Sequence, residues 1–421
     1  MLIQNLAGLF DGSGFVRKQG RRPTPEDCGF RPGPLDVLID PASGRIQRVE
    51  RQIPPGSCFC LNGEGLVALP GFIDPHTHAI FGGQRFEEYF LRWAGRSYVE
   101  IAAAGGGIHS TVRATRDTSD PSLRQGLRAR LRRMLRCGAT VVEVKSGYAD
   151  SAEGELRLLR IIQSLSGDPH LPEICPTFLA LHALPQGRDE SGFVDEMIAA
   201  LPQIAAAKLA KHVDAFPEKG FFTLESALRL ARSAAGFGLA AKIHADELTD
   251  LGTSAAFIRA GARSIDHLQC ISDEAVALLA DSSTVATLLP ATSFFVGLPY
   301  ANARRLLDAG ARVALATDFN PGTAPASDLQ LTHLLAVSQL KMTAPEVLCA
   351  TTLNAAAAVG LEATHGAILP GRAGNLLLYR AGPDVDQTGI RLLQAILLER
   401  AVPERVIVRG GELPPTRDEQ V

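Results

Sequence analysis

The chain has 421 residues, of which 46% are hydrophobic, and its formal charge at pH 7 is −3. This length is enough for one large barrel with an appendage, or for two or three ordinary domains. The near balance of charge, without a long basic block, argues against nucleic acid or an anionic membrane as a partner. No apolar run reaches the roughly 18 residues that a membrane span requires.

The seven cysteines are odd in number and scattered along the chain. The first ten residues lack the basic start and the long apolar stretch of a secretory signal. We therefore expect a cytoplasmic protein with reduced cysteines. Cys58 and Cys60 are separated by one residue and have no second pair, which makes them weak candidates for metal ligands.

Both ends of the chain contain short stretches of β-forming residues. Residues 34–40 and 45–53 flank a Pro-Ala-Ser-Gly turn and predict a hairpin, whereas the polar, Pro- and Gly-rich residues 17–33 predict a loop. Near the other end, residues 375–380 and 405–413 also predict strands. Segments that are distant in sequence can therefore form one small β module.

The middle of the chain alternates apolar, strand-like runs with helical patterns. Several of the helical patterns end in glycine, which favours the left-handed conformation after a helix. The seven clearest strand-like runs, and a less obvious eighth at 100–110, are residues 66–74, 139–148, 173–183, 238–246, 263–268, 283–290 and 312–318. Such alternation predicts a parallel sheet, and the continuous apolar runs predict burial on both faces.

The number of units favours a (β/α)8 barrel over an open doubly wound sheet. No phosphate-binding glycine motif follows the early strands, and the glycines of residues 104–110 have the wrong spacing for a dinucleotide fingerprint. One helical pattern carries an arginine cluster, which we interpret as the solvent face of an amphipathic helix: Arg128, Arg130, Arg132, Arg133 and Arg136.

Polar residues follow the predicted strands where catalytic residues of a barrel are found, at the carboxyl ends. His76 and His78 are two residues apart, so in an extended segment they point to the same side and can share one metal. A third imidazole from His244 and a carboxylate from Asp318 would complete a set suited to Zn or Fe, with a position left for water. A single histidine of this kind is more often just a hydrogen-bonded polar residue, and Asp318 alone can be a helix cap. Their occurrence at successive strand ends favours the metal site.

Six motifs together resemble the imidazolonepropionase family of the metal-dependent amidohydrolase superfamily. They occupy residues 75–85, 105–116, 143–148, 244–248, 288–295 and 315–325. The resemblance covers roughly residues 66 to 356. It implies a TIM barrel over 66–356 and a small composite β-sandwich made of residues 1–65 and 357–421. Ala149 and Thr253 depart from the usual pattern and put the shape of two loops beside the site in doubt.

The resemblance also implies the reaction, which is hydrolysis of the ring lactam of 4-imidazolone-5-propanoate to N-formimidoyl-L-glutamate in histidine degradation. His76, His78, His244 and Asp318 occupy the positions of the family's metal ligands. They imply one divalent or trivalent transition metal per subunit, Zn or Fe, which can lower the pKa of bound water to about 7. The implied partner is a small-molecule substrate, and a homodimer is what the family suggests.

Two further residues match the family's catalytic positions. Glu247 follows His244 by three residues and resembles the acid/base residue, although a carboxylate near a helix start is an alternative interpretation. His267 would polarise the attacked carbonyl, or else be a structural histidine bonded to Asp266. Lys145 can either bridge two metals, as a carboxylated lysine does in binuclear relatives, or neutralise a neighbouring acid such as Glu143. We favour the second interpretation.

The substrate's propanoate requires a cation. Arg85 can hold a carboxylate through two parallel hydrogen bonds, or form a surface ion pair with Glu87 or Glu88. The remaining substrate contacts implied by the family are Tyr148, His182, Asn320, Gly322 and Thr323, and Tyr98 is a further candidate.

Two alternatives remain open. The first is another amidohydrolase, such as an aminopurine or cytosine deaminase or a different cyclic amidase, which would use the same ligands without a carboxylate clamp. The second is a non-catalytic protein on the same fold, which would be expected to have lost some of the ligands.

Overall fold

A computed structural model describes residues 1–56, 58–96, 100–101, 105–382 and 388–413. The strands of this part of the chain are Leu2–Phe10 (β1), Phe30–Ile39 (β2), Ile46–Glu50 (β3), Cys60–Asn62 (β4), Leu66–Pro70 (β5), Phe72–Asp74 (β6), Ala139–Lys145 (β7), Glu173–Leu181 (β8), His212–Ala215 (β9), Ala240–Ala245 (β10), Ser264–His267 (β11), Val285–Leu288 (β12), Arg312–Leu315 (β13), Leu376–Arg380 (β14), Arg405–Val408 (β15) and Gly411–Glu412 (β16).

The helices connect and cover these strands. In chain order they are Ser13–Arg17 (α1), Phe86–Trp93 (α2), Ile108–Asp117 (α3), Asp120–Arg136 (α4), Ala152–Gln163 (α5), Glu190–Ala206 (α6), Leu224–Ala235 (α7), Thr253–Arg259 (α8), Asp273–Asp281 (α9), Pro290–Val296 (α10), Ala303–Ala309 (α11), Leu329–Ser338 (α12), Ala344–Thr351 (α13), Leu353–Ala358 (α14) and Ile390–Leu398 (α15). None of the helices in the described part is long and apolar enough to cross a membrane.

Strands β6 to β13 form one parallel sheet in which every strand lies beside its neighbour in sequence. The first and last strands meet just beyond their ends, where Thr77 pairs with Phe319. The His78 amide donates to the Phe319 carbonyl at 2.9 Å, and the Asp318 amide donates to the His76 carbonyl at 3.1 Å. The predicted (β/α)8 barrel is confirmed, and its closure directly joins the segment of His76 and His78 to the segment of Asp318.

The predicted eighth strand at 100–110 is wrong for the residues of this range that the structure describes, because 100–101 are helical and α3 begins at Ile108; residues 102–104 lie outside the described part. The strand that completes the barrel is β9, which lies between α6 and α7. It has four residues, and its His212 and Asp214 alternate with two small apolar side chains. Such a short, half-polar run gave no apolar signal in the sequence.

The second sheet is mixed and takes strands from both ends of the chain, in the order β16-β15-β14-β5-β1-β2-β3, with β4 paired to β1. This confirms the composite β module and the hairpin of β2 and β3. The predicted loop over 17–33 is wrong in part, since it contains a short 3-10 helix, Pro25–Cys28, and the start of β2.

The predicted strand 66–74 is divided between the two sheets at Gly71. Residues of β5 pair with β1 and β14 in the mixed sheet, and those of β6 pair with β7 in the barrel. Within β5, Leu66 and Ala68 belong to the core of the mixed sheet, whereas the alternate residues Val67 and Leu69 pack with the barrel core. The division of the chain into 1–65, 66–356 and 357–421 stays a proposal.

The arginine-rich helix is α4, which buries leucines at the predicted spacing. The solvent-face interpretation is wrong for Arg130. Its guanidinium lies 3.4 Å from the ring centroid of Phe81 and donates to the carbonyls of Ala79 and Phe81, both at 3.0 Å. This side chain therefore supports the loop that follows His78.

The close packing at Gly71, where the two sheets meet, can be tested by adding one methyl group. A Cβ at Gly71 would lie 2.3 Å from Oγ1 of the buried Thr140, which donates to the Phe72 carbonyl at 3.1 Å. Because overpacking a core typically costs about 1–3 kcal/mol, Gly71→Ala is expected to lower the free energy of unfolding by that amount. Denaturant unfolding measures the change.

The matched control is Gly192→Ala in α6, where the nearest atom to the new Cβ is 3.5 Å away. This substitution is expected to leave stability unchanged or to raise it, because alanine favours the helix. Equal effects of the two substitutions would contradict the packing argument at the junction.

Candidate active site

Four side chains converge at the carboxyl end of the barrel. His76 and His78 follow β6, His244 lies in β10, and Asp318 follows β13. Asp318 Oδ1 lies 3.5 Å from His76 Nε2 and 3.4 Å from His78 Nε2. The Nε2 atoms of His78 and His244 are 3.3 Å apart. His76 Nε2 and Asp318 Oδ1 are buried and have no hydrogen-bond partner among the described residues.

These four residues fit a metal ion. Ligand atoms held roughly 2.0–2.1 Å from one ion at the corners of a tetrahedron lie about 3.4 Å apart, close to the three observed separations. The unpartnered His76 Nε2 and Asp318 Oδ1 are costly in a buried site unless a ligand such as a cation lies between them. Imidazole and carboxylate together suit transition metals such as zinc and iron.

The outer nitrogens of two ligands are held by carboxylates. His76 Nδ1 lies 2.6 Å from Asp266 Oδ2, and His244 Nδ1 lies 3.0 Å from Asp214 Oδ2. A carboxylate accepts, so Nδ1 carries the proton in each ring and Nε2 presents its lone pair to the site. Burial, followed by nearby positive charge, keeps the pKa of His76 well below its usual value. The neutral ring that a metal requires is therefore the stable form.

Lys145 ends β7, the second barrel strand, and is fully buried beneath the histidines. Its Nζ lies 2.9 Å from Glu143 Oε2 and 2.7 Å from Asp214 Oδ2. Burial opposes the charged form, but Asp214 and Glu143 outweigh it and hold the pKa of Lys145 above its usual value. The structure thus places Lys145 as the neutralising cation that we favoured, and extends its partners to Asp214.

Glu247 and His267 lie beside the ligand cluster. His267 Nδ1 is 3.6 Å from Glu247 Oε1. Burial, and then the charges of Asp318 and Glu218, raise the pKa of Glu247 to about 8. The loop beyond Glu247 is held by Glu218, which accepts from the amides of Leu248 and Thr249 at 3.0 and 3.2 Å.

The simpler interpretations of these two residues do not hold. The next helix, α8, begins at Thr253 and has no acidic residue in its first turn, so Glu247 is not a helix-start carboxylate. Asp266 bonds to His76 and Ser264 rather than fixing His267.

The backbone φ is +86° at His267 and +53° at Asp318, in a region that residues other than glycine rarely adopt. Such strain concentrates at functional sites.

A cleft of about 550 Å³ opens above the cluster. Ten of the twelve predicted site residues line its wall: His78, Arg85, Tyr148, His182, His244, Glu247, His267, Asp318, Asn320 and Thr323. The other two are His76 and Gly322. Both are buried, and Gly322 lies next to Arg85. Tyr98 lies outside the described residues.

Arg85 is buried at the start of α2 and donates through Nε and Nη2 to both oxygens of Glu88, at 2.9 and 2.8 Å. The predicted alternative, an ion pair with Glu88, is therefore present, but it lies in the cleft wall and not on the surface. A Cβ at Gly322 would be 2.0 Å from Arg85 Nη1. Only glycine lets the backbone of the turn approach the guanidinium this closely.

The turn over residues 320–323 is closed by the side chain of Asn320. Its Oδ1 accepts from the amides of Gly322 and Thr323 at 2.8 and 2.7 Å, and its Nδ2 donates to the Asp318 carbonyl at 2.7 Å. These contacts fix the turn to the strand end that carries Asp318. Substrate binding by these residues stays a prediction.

Two further predicted contacts, His182 and Tyr148, also line the cleft. His182 Nδ1 is 2.9 Å from the Gly147 carbonyl and must donate to it, which leaves Nε2 as an acceptor. The ring stacks on His78 with centroids 4.9 Å apart. The loop carrying Tyr148 is held by Glu155, which accepts from the amides of Gly147 and Ala149 at 2.7 and 2.9 Å. Ala149 is accommodated in this loop.

Three contributors were missed in the sequence. Asp214 lies on strand β9, which was not recognised from the sequence, and Glu218 follows this strand. Neither residue could be placed at a strand end until the strand itself was known. Thr292 lies in a family motif but was given no role, and its hydroxyl donates to Asp318 Oδ2 at 2.5 Å. No spacing rule connects these residues to His244, Glu247 or Asp318, because they come together only in the assembled barrel.

Comparison with known proteins agrees with this geometry. The amidohydrolase family model matches residues 67–411. An imidazolonepropionase of Rubrobacter xylanophilus is 44% identical over 89% of this chain and 88% of its own length. An imidazolonepropionase of Caldanaerobacter subterraneus subsp. tengcongensis is 45% identical over 77% of this chain and 79% of its own.

Among solved structures, the crystal structure of a triazine hydrolase variant has a TM-score of 0.73 at 19% identity, covering 98% of this chain and 94% of the other, which shows a shared fold. The family model matches most of the chain, and the identity to the imidazolonepropionases also extends over most of it. The chain belongs to the amidohydrolase family and, within it, to the imidazolonepropionases.

Proposed function

We propose that this chain hydrolyses the lactam bond of 4-imidazolone-5-propanoate to give N-formimidoyl-L-glutamate. The observation that carries the proposal is a cleft that combines a histidine-rich cluster able to hold a metal, a carboxyl with a raised pKa and a buried arginine in its wall; two groups of three in the cluster have their ligand atoms close enough for one ion, His76 with His78 and Asp318, and His76 with His244 and His267. The relatives that cover most of the chain are named for this activity and not for deamination. All four ligand positions are present, which argues against a non-catalytic protein.

His76, His78, His244 and Asp318 would hold one divalent or trivalent transition metal per subunit, zinc or iron. Such an ion supplies Lewis acidity, which makes water a nucleophile at neutral pH. Asp266 and Asp214 fix the orientation and protonation of two of these imidazoles, so their Nε2 atoms would face the ion.

Glu247 would accept the proton of the attacking water and deliver it to the ring nitrogen as the carbon–nitrogen bond breaks. A carboxyl with a pKa near neutrality can do both, and such a shuttle is worth roughly 10²–10⁴-fold in rate. His267 would donate to the carbonyl oxygen as negative charge develops there. Its Nδ1 lies 3.6 Å from Glu247 Oε1, so the two groups can act on the same bound molecule.

Arg85 would bind the substrate's propanoate, with Tyr148, His182, Asn320, Gly322 and Thr323 shaping the space around the ring. Arg85 is fixed by Glu88, and Glu88 also accepts from the Gly107 amide at 3.1 Å, so the guanidinium is held rigidly in the wall. A rigid cation loses little entropy when it binds a carboxylate.

We also propose a cytoplasmic homodimer, as the resemblance implies. The seven cysteines are all free, which agrees with a reducing compartment. The mass of the purified protein in solution tests the dimer.

The experiment that tests the proposed function follows the ultraviolet absorbance of 4-imidazolone-5-propanoate with metal-replete protein. We expect the absorbance to decay and N-formimidoyl-L-glutamate to accumulate. Stable absorbance, with turnover of an aminopurine or another cyclic amide by the same preparation, would reject the proposal.

Glu247→Gln keeps the shape of the side chain but removes the base. We expect turnover to fall by at least about 100-fold, because the proton shuttle is lost, while metal content stays that of the unaltered protein. Glu225→Gln on the exposed side of α7 is the control and should turn over normally. Full activity of Glu247→Gln would remove this residue from the mechanism.

Lys145→Met replaces the buried ammonium by an apolar chain of similar length. We expect the metal-free protein to lose about 3–5 kcal/mol of unfolding free energy, because Glu143 and Asp214 are left as buried charges without a cation. Thermal unfolding measures this, with exposed Lys219→Met as the control. An unchanged midpoint would mean that the lysine does not balance these acids.

A further inference from the structure

A second arginine, Arg92, lies in the cleft wall on the last turn of α2. Its Nη2 donates to the Gly322 carbonyl at 2.7 Å. Its Nε and Nη1 are buried without a well-aligned hydrogen-bond partner in the described part of the chain, although the Tyr89 hydroxyl interacts with the guanidinium. A neutral phenol leaves the charge of the guanidinium without an anionic partner.

The charge of Arg92 is also unbalanced. Glu88 forms its ion pair with Arg85, and among the described residues no carboxylate lies within ion-pair distance of Arg92. Tyr89 adjoins the guanidinium, whose central carbon is 4.5 Å from the ring centroid, but a phenol is neutral at pH 7. One carboxylate therefore serves two guanidinium groups, and this wall of the cleft retains a positive charge.

Arg96 provides a contrast within the same wall. It is exposed and lies 3.5 Å from Glu100, which can balance its charge in water. Solvent screens an exposed charge of this kind, whereas a half-buried one acts at close range with little screening. The cation with the strongest uncompensated attraction for an anion in the cleft is thus Arg92.

We propose that Arg92 binds the substrate's carboxylate together with Arg85 and sets the preference of the site for anionic substrates. This inference rests on the proposed function. Arg92 supplies the net positive charge, and Arg85 supplies a rigid guanidinium neutralised by Glu88. A carboxylate placed beside both guanidinium groups balances the charge of Arg92.

A simpler role for Arg92 is to support the turn over residues 320–323 through the Gly322 carbonyl. The two roles make different predictions. Loss of turn support would impair every substrate, because the turn is joined to Asp318 through Asn320. Loss of charge would impair only a substrate that carries a carboxylate.

The experiment compares 4-imidazolone-5-propanoate with its uncharged propanamide analogue, using the metal-replete protein. For Arg92→Gln we expect KM for the propanoate to rise by about 10- to 100-fold, the effect of losing a charge-assisted hydrogen bond, with kcat little changed. KM for the propanamide should not change. Arg92→Lys keeps the charge and should retain most of the preference for the propanoate, while Arg232→Gln on the exposed side of α7, away from the cleft, should behave as the unaltered protein.

Equal losses on both substrates in Arg92→Gln, or a Lys variant as poor in discrimination as the Gln variant, would overturn the inference and leave the turn as the role of Arg92. An unchanged KM for the propanoate would overturn it as well. Failure of the unaltered protein to hydrolyse the propanoate would instead reject the proposed function, and this inference with it.

Discussion

The site depends on the ion pairs that the buried ammonium group of Lys145 forms with the acidic side chains around it. The His-rich cluster requires Asp214 and Asp266 behind it, and Glu143 is buried in the same layer. So many carboxylates without water would be prohibitively costly if they were not balanced. Lys145 contacts Glu143 and Asp214, and Lys242 lies 3.5 Å from Asp266, so two buried cations make the acidic layer tolerable.

This layer of buried charges positions the histidines above it. Carboxylates fixed by lysines hold the outer nitrogens of His76 and His244, and the inner nitrogens then face the point where His78 and Asp318 also converge. The barrel closure adds a second constraint, because the segments after β6 and β13 bond to each other through their backbones. Asp74 strengthens this junction by accepting from the Thr317 hydroxyl at 2.6 Å. Ligand geometry is thus a property of the whole barrel end.

The sequence predicted that His76, His78, His244 and Asp318 come together, because these residues are chemically distinctive and lie at strand ends. It also predicted most of the barrel, since buried parallel strands are continuous apolar runs. It failed at β9, where four residues alternate polar and apolar, and at residues 66–74, where one apolar run serves two sheets that meet at Gly71. An apolar run indicates burial but not which partner strand it will have.

The supporting contacts were beyond prediction for a related reason. Arg130 occupies a position in an arginine cluster that periodicity assigns to solvent, yet it reaches the loop after His78 because that loop passes over α4. Glu218 and Thr292 contact the site from elements whose relative position no local pattern encodes. Contacts of this kind depend on the assembled fold, whereas residue type and spacing are local.

We propose that this chain holds one metal ion and that Lys145 takes the place of a second. Diffraction from crystals of the metal-replete protein, recorded at the zinc and iron absorption edges, tests this proposal most directly. We expect one anomalous peak bonded to His76, His78, His244 and Asp318, with an unmodified Lys145 between Glu143 and Asp214. Two peaks bridged by a carboxylated Lys145, or one peak that excludes His78, would contradict it.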